Sequence, residues 1–288
     1  MKIHLIDGAQ NTFALVSYLG DSNYVELEIL YKNKIQLSKI AKIICKHPSI
    51  KVDGCVFVFP QKDLDFAWEF FNSDGSDALM CGNAARAVAF WYSQFVNNKK
   101  LINYYTPSQN VKAEILSSLG SIQSNTKDVF YPVSGAVKVW LKPTKFIAED
   151  EGHRIYNSGV PHLCVHVKNV DLKDTSFQSV KDKYFDKARS LRFPKALDSK
   201  GSNVTYVWQD PDDLLKIKAI SFERGVENWT QACGTGAMAA AYFANDYLDM
   251  KFPINVQMPG GVLEINEFEG QTSLSGPAQI YKILNIDI

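Results

Sequence analysis

The sequence of 288 residues is most informative at first for what it lacks. It has no excess of either charge: 31 Lys and Arg balance 31 Asp and Glu, giving a formal net charge of zero. A neutral chain offers no electrostatic footprint for nucleic acid. No stretch approaches the ~20 apolar residues that span a bilayer, so no membrane association is expected. The start, Met1 to Asp7, reads as a short strand and not as a charged region followed by an apolar block. A signal peptide and a lipidation motif are therefore not expected, and the cytoplasm is the expected location. No CxxC occurs among the five cysteines Cys45, Cys55, Cys81, Cys164 and Cys233. Their odd number and wide spacing argue against a zinc ribbon or a thioredoxin-like motif. In a reducing compartment they are free thiols, and any one taken alone reads most simply as a small buried hydrophobe. Neither GxGxxG nor a P-loop is present, which disfavours a nicotinamide or ATP enzyme. Nothing marks a Schiff-base lysine, and no low-complexity linker interrupts the chain.

What is present is an internal echo. At 288 residues the chain is long for one core, because single cores stop growing at about 250–300 residues. Two lobes of roughly 120–150 residues are the natural expectation. Aligning Cys81 with Cys233 pairs Cys81-Gly82-Asn83-Ala84-Ala85-Arg86-Ala87 with Cys233-Gly234-Thr235-Gly236-Ala237-Met238-Ala239. Gly8, before the strand-like Phe13 to Val16, matches Gly159, before Leu163 to Val167. Thr106-Pro107 before Val111 matches Met258-Pro259 before Val262. Three markers in one order and at one spacing indicate a tandem duplication, and two long copies argue for paired lobes, not a solenoid.

Each lobe carries β-rich stretches, among them Cys55 to Phe59, Phe66 to Phe71, Asn203 to Trp208 and Ile217 to Phe222. Each also carries one alanine-rich helix beginning at its Cys-Gly. Leu37 to Cys45 reads as an amphipathic helix, with Ser38 as its cap and Pro48 just past its end. Asp174 to Leu191 reads as a polar surface helix, and Asn97 to Lys100 as a turn. The expected fold class is α+β, in two pseudosymmetric lobes with the active site in a cleft between them.

The Cys-Gly turns carry chemistry. A helix start exposes unpaired backbone N–H groups and partial positive charge, which suits a carboxylate. A thiol placed there is expected to have a lowered pKa, and Gly82 and Gly234 let the backbone approach a ligand closely. Two such cysteines facing one substrate carbon would remove a proton from one side and return one to the other, inverting configuration. The helix-end N–H groups would hold the carboxylate while charge develops. The plainer alternative makes both Cys-Gly turns packing turns preserved by duplication, although Asn83 and Thr235 beside the cysteines are not needed for apolar packing. A Cys81–Cys233 disulfide is a further alternative, read as an off-state.

An ordered set of motifs then resembles the diaminopimelate epimerase family across essentially the whole length. The set comprises Asp7-Gly8-Ala9-Gln10-Asn11-Thr12-Phe13, Phe71 to Ser76 leading to Cys81-Gly82-Asn83, Gly159-Val160-Pro161-His162 and Ser202-Asn203-Val204. It continues with Phe222-Glu223-Arg224-Gly225, Ala232-Cys233-Gly234-Thr235-Gly236 and Pro259-Gly260-Gly261. The resemblance implies an N-terminal lobe of residues 1–120 plus about 276–288 and a C-terminal lobe of 121–275. Each would be a barrel-like, mainly antiparallel sheet around a central helix. It implies an isomerase that interconverts LL- and meso-diaminopimelate for lysine and peptidoglycan precursors, without pyridoxal phosphate, a metal or any other cofactor. Cys81 and Cys233 would be the acid/base pair, supported by His162 and Glu223. Gly82, Asn83, Gly234 and Thr235 would bind the reacting carboxylate, and Asn11, Asn72, Asn203, Glu223 and Arg224 the ammonium and distal groups. A homodimer is also implied.

Taken from the residues alone, Asn11 and Asn72 also suit turns, Arg224 a surface charge and His162 a satisfied core histidine. The chain departs from the common family pattern at Gln10, Thr12, Ala84, Val160 and Trp229. Val160 and Trp229 keep open a racemase of a different amino acid. A non-catalytic binding or thiol-redox protein is the alternative from another class.

Overall fold

A computed structural model describes residues 1–20, 29–78, 80–120, 132–168, 174, 176–210 and 213–287. The chain divides into two compact units: Met1–Trp140 with Gly276–Ile288, and Leu141–Ser275. The boundary expected between residues 120 and 121 abuts 121–131, which lie outside the described residues.

The first unit runs β1 (Lys2–Asp7), β2 (Thr12–Ser17), α1 (Lys34–Lys46), β3 (Gly54–Phe59), β4 (Phe66–Asn72), α2 (Gly82–Phe95), β5 (Leu101–Thr106), β6 (Gln109–Leu119) and β7 (Val133–Leu141). The long last strand of the chain, β16 (Gln271–Asn285), neighbours β7 and pairs antiparallel with β1, so these described strands close into an eight-stranded ring. Closure removes the open sheet edges that would otherwise invite association. Inside runs α2, buried at every residue from Gly82 to Ser93. A helix buried all round must be apolar all round and narrow, and the run of alanines in Ala84-Ala85-Arg86-Ala87-Val88-Ala89 meets both demands. Arg86 is the exception, fully buried within that helix.

The second unit runs β8 (Lys145–Asp150), β9 (His153–Asn157), β10 (Pro161–His166), α3 (Phe177–Ser190), β11 (Asn203–Asp210), β12 (Asp213–Glu223), β13 (Asn228–Trp229), α4 (Gly234–Tyr247), β14 (Ile254–Met258) and β15 (Gly261–Phe268), followed by the first residues of β16. Its pairing repeats that of the first unit. The β2–β3 pair is parallel, β3–β4 antiparallel, β4–β5 parallel and β5–β6 antiparallel. The β10–β11, β11–β12, β12–β14 and β14–β15 pairs follow the same alternation. Gly8 and Gly159 occupy the turns before β2 and β10, and Pro107 and Pro259 the hairpins after β5 and β14. The sequence echo is thus an echo of topology, and the α+β class and two-lobed duplication hold. Helix α4, with Ala237 and Ala239 to Ala241 fully buried, takes the place of α2.

Two local expectations need comment. Helix α1 starts earlier than Ser38. Its cap is Asn33, whose side chain accepts the Gln36 N–H at 3.1 Å. Ser38 instead donates its hydroxyl to the Gly75 carbonyl, tying α1 to the turn that follows β4. The surface helix begins at Phe177, capped by Ser176 through the Ser179 N–H.

Candidate active site

In the first unit, Cys81 is the N-cap of α2, in an extended conformation, and the first helical hydrogen bond runs from Ala85 N–H to the Cys81 carbonyl. The N–H groups of Gly82 and Asn83 precede that bond, so they belong to the set that a helix leaves without an internal partner. The Cys81 thiol lies 3.6 Å from Asn11 Oδ1, and Asn83 Nδ2 lies 3.4 Å from the same oxygen. Asn11 is held by its own amide group, which donates to Asp53 Oδ2 at 2.8 Å. Thr12 donates to that oxygen through both its backbone N–H and its hydroxyl. Residues Ala9 and Gln10 adopt left-handed backbone with φ of 60° and 63°, which turns the chain tightly toward the helix head. Asn83 is fixed from behind by Arg86, which donates to its Oδ1 at 2.9 Å and to the Gly82 carbonyl at 3.2 Å. Burial pushes the Arg86 guanidinium down to about 10, still charged at neutral pH, and the Cys81 and Asp7 charges oppose that drop. Asn72 sits in its own turn, donating to Ser76 Oγ at 2.9 Å.

In the second unit, Cys233 caps α4 in the same extended conformation, and its sulfur accepts the Gly236 N–H at 3.3 Å. Its thiol lies 3.3 Å from the Thr235 hydroxyl. That hydroxyl lies 2.9 Å from Nε2 of His162, a side chain with no solvent exposure. Asn203 Nδ2 also approaches Nε2, at 3.2 Å, and Asn203 Oδ1 accepts the Arg224 backbone N–H at 3.0 Å. On the far side of the ring, Nδ1 meets Thr205 Oγ1 at 2.8 Å, and Thr205 Oγ1 meets Ser221 Oγ at 2.9 Å. Glu223 hydrogen-bonds to the Cys233 thiol and accepts from the Thr230 hydroxyl.

The electrostatics at Cys233 run opposite to the sequence expectation. Burial first, and the Glu223 carboxylate second, push its thiol well above the ordinary cysteine range, while the Thr235 and Gly236 hydrogen bonds pull the other way without prevailing. A helix-end N–H acidifies a thiol, and desolvation of the thiolate opposes it. At 6 % exposure the cost of desolvating charge is larger. His162 is likewise held neutral, lowered to about 3 by burial and by the Arg224 charge.

Cys81, Asn11, Gly82 and Asn83 therefore cluster in one unit, and Cys233, Gly234, Thr235, His162, Asn203, Glu223 and Arg224 in the other. Trp229 is engaged in packing, edge-on to Phe222 and Tyr206 at 5.5 and 5.6 Å between ring centres. Reading the sequence missed Asp53, Arg86, Thr205 and Ser221. Arg86 left a signal, as one charged residue within an apolar helix. The other three are short polar residues whose partners are remote in sequence.

The duplicated architecture is shared with solved structures. A probable proline racemase from Agrobacterium radiobacter K84 superimposes with a TM-score of 0.66 over 100 % of this chain and 93 % of its own, at 12 % identity. A hydroxyproline epimerase from Agrobacterium vitis gives 0.63 over 99 % and 91 %, at 15 % identity. A phenazine biosynthesis protein of the PhzF family from Bacillus anthracis gives 0.66 over 100 % and 99 %, at 12 % identity. The fold is shared with these three structures, and in this chain a cysteine heads each central helix. The profile of the diaminopimelate epimerase family matches residues 8–130 and 154–281. The diaminopimelate epimerase of Aquifex aeolicus is 31 % identical over 98 % of this chain and 96 % of its own length. That of Carboxydothermus hydrogenoformans is 31 % identical over 97 % and 96 %. The chain belongs to the diaminopimelate epimerase family and is an isomerase.

Proposed function

We propose that this chain interconverts LL- and meso-diaminopimelate by proton transfer at the α-carbon, using Cys81 and Cys233 and no cofactor. The observation that carries the reading is the matched pair of cysteine-capped helices, within a chain that follows the family over nearly its whole length. One cysteine, as thiolate, takes the α-proton and becomes a thiol. The other, as thiol, delivers its proton to the opposite face and becomes a thiolate. The electron pair rests meanwhile on the carbon conjugated with the carboxylate, and protons and electrons balance without an external acceptor. Gly82, Asn83, Gly234 and Thr235 head the two helices and are suited to hold that carboxylate as its charge grows. Asn11, Asn72, Asn203, Glu223 and Arg224 supply hydrogen bonds and charge for the ammonium and distal groups, with Arg224 suited to a carboxylate. The reading includes a homodimer in the cytoplasm; among the described residues no helix is long and apolar enough to cross a membrane.

The test is incubation with LL-diaminopimelate in deuterium oxide without added cofactor, following α-proton exchange and chirality. The wild type is expected to exchange and epimerise, and Cys81→Ala and Cys233→Ala each to lose epimerisation. An inert wild type with reduced thiols would overturn the substrate assignment, and activity on another amino acid would move it. Undiminished epimerisation by either cysteine variant would overturn the two-thiol mechanism.

A further inference from the structure

We propose that the Thr205–Ser221 hydroxyl pair is a positioning device that, together with Asn203, keeps His162 as its Nδ1–H tautomer and, by drawing the Thr235 hydroxyl to the ring, leaves Cys233 a thiol in the free enzyme. The inference rests on the proposed function only where it gives Cys233 a part in the reaction.

The direction of each hydrogen bond follows from one anchored group. The Arg224 backbone N–H can only donate, so the Asn203 atom facing it is the carbonyl oxygen. The amide NH2 of Asn203 must then face His162 Nε2. A proton on Nε2 would set donor against donor, so Nε2 is the bare nitrogen and the proton sits on Nδ1. Nδ1–H donates to Thr205 Oγ1, which passes its own hydroxyl proton toward Ser221 Oγ. On the other side, the Thr235 hydroxyl donates to Nε2 and so withholds its proton from the Cys233 sulfur, whose S–H is left to the Glu223 carboxylate. All four inner members, His162, Thr205, Ser221 and Asn203, are at most 4 % exposed, so water does not compete for these bonds. Asn203 thus sets the preference, and because a buried donor left without an acceptor is costly, Thr205 is what allows Nδ1 to carry the proton.

The charged groups facing this array are Glu223, beside the Cys233 thiol, and Arg224, near His162. A carboxylate beside the sulfur favours the thiol, and a guanidinium near the ring favours the neutral imidazole. Both agree with the direction of the relay. Neither Thr205 nor Ser221 is proposed to touch substrate. Their effect reaches the sulfur through the imidazole and Thr235.

The wild-type protein labelled with nitrogen-15 in its histidines reports the tautomer directly by long-range proton–nitrogen correlation, with His162 assigned by its loss in His162→Gln. The expected result is protonated Nδ1 and bare Nε2. In Thr205→Val the ring loses its acceptor, and the proton is expected to move to Nε2. Thr235 then turns its hydroxyl to the sulfur and favours the thiolate. Alkylation of Cys233 by iodoacetamide, in a Cys81→Ala background without substrate, should shift to lower pH by about one unit. Thr205→Ser should restore both readouts, and Ser221→Ala should move them part of the way. A wild-type ring protonated on Nε2 overturns the proposal, as does a folded Thr205→Val with unchanged tautomer and unchanged alkylation profile. Should Thr205→Val fail to fold, the wild-type tautomer and Ser221→Ala decide the matter. These readouts need no turnover. Failure of the epimerase reading would appear as absent α-proton exchange with this tautomer intact, and failure of the relay as the reverse.

Discussion

Gly8 lies against the backbone carbonyl of Asn83 so closely that a Cβ at Gly8 would fall well inside van der Waals contact with that oxygen. The turn that presents Asn11 and the helix head that presents Cys81 are seated on one another through bare backbone.

Gly8→Ala is accordingly expected to destabilise the protein by about 1–3 kcal/mol, as overpacking against rigid backbone does. It should also lower kcat/KM by separating Asn11 from the Cys81 thiol. Urea unfolding and steady-state kinetics check both. An unchanged midpoint would show that the helix head shifts freely.

Arg86 organises the same helix head from beneath. Arg86→Met removes the guanidinium that donates to Asn83 Oδ1 and to the Gly82 and Pro277 carbonyls. The expected cost is about 3 kcal/mol in stability. Catalytic loss should be about tenfold or more, because Asn83 is no longer held. Arg86→Lys should not restore activity, since an ammonium cannot reproduce the fork that serves three acceptors. Recovery by lysine would reduce the role of Arg86 to charge alone.

Glu223→Gln removes the negative charge that helps keep Cys233 protonated. The sign is fixed: without the carboxylate the thiolate is less disfavoured, so alkylation of Cys233 should move to lower pH. Burial remains, so the profile should stay above that of a solvated thiol. A shift to higher pH, or none, would contradict the placement of Glu223 beside the sulfur.

His4 is buried, accepts the Trp91 indole N–H on Nδ1 at 3.0 Å, and is lowered from 6.5 to about 4. The folded state therefore binds fewer protons than the unfolded state between those values. Stability from this group is complete above pH 6.5 and is lost as pH falls toward 4, at roughly 1.4 kcal/mol per pH unit. His162 adds a loss of the same sign that continues toward pH 3. Urea unfolding between pH 7 and 4.5 should show this slope, and His4→Gln should flatten it. Parallel slopes for the two proteins would sink the assignment.

Much of the architecture was legible along the chain. The strands around Cys55 and Asn203 and the two Cys-Gly helices stand where the pattern put them, because runs of β-branched and aromatic residues and alanine content act over neighbouring residues. The cap of α1 was misplaced because Asn33 and Ser38 are both competent N-caps. What decided between them was Gly75, 37 residues from Ser38, which takes the serine hydroxyl. In the site, the cysteines and their glycines were visible as a repeat. Asp53 was not, since its value lies in gathering Asn11 and Thr12 from about 40 residues away.

The sequence by itself determined the duplication, the helix heads and the pair of thiols, because each of these is written in residues close together or repeated at one spacing. The protonation bias of Cys233 was decided only by the tertiary structure. Desolvation and the Glu223 carboxylate outweigh two hydrogen bonds from the helix head. The imidazole that completes its environment comes from a strand 73 residues before Thr235. Charge in a buried site depends on what surrounds an atom in space, and no local pattern of residues encodes that sum.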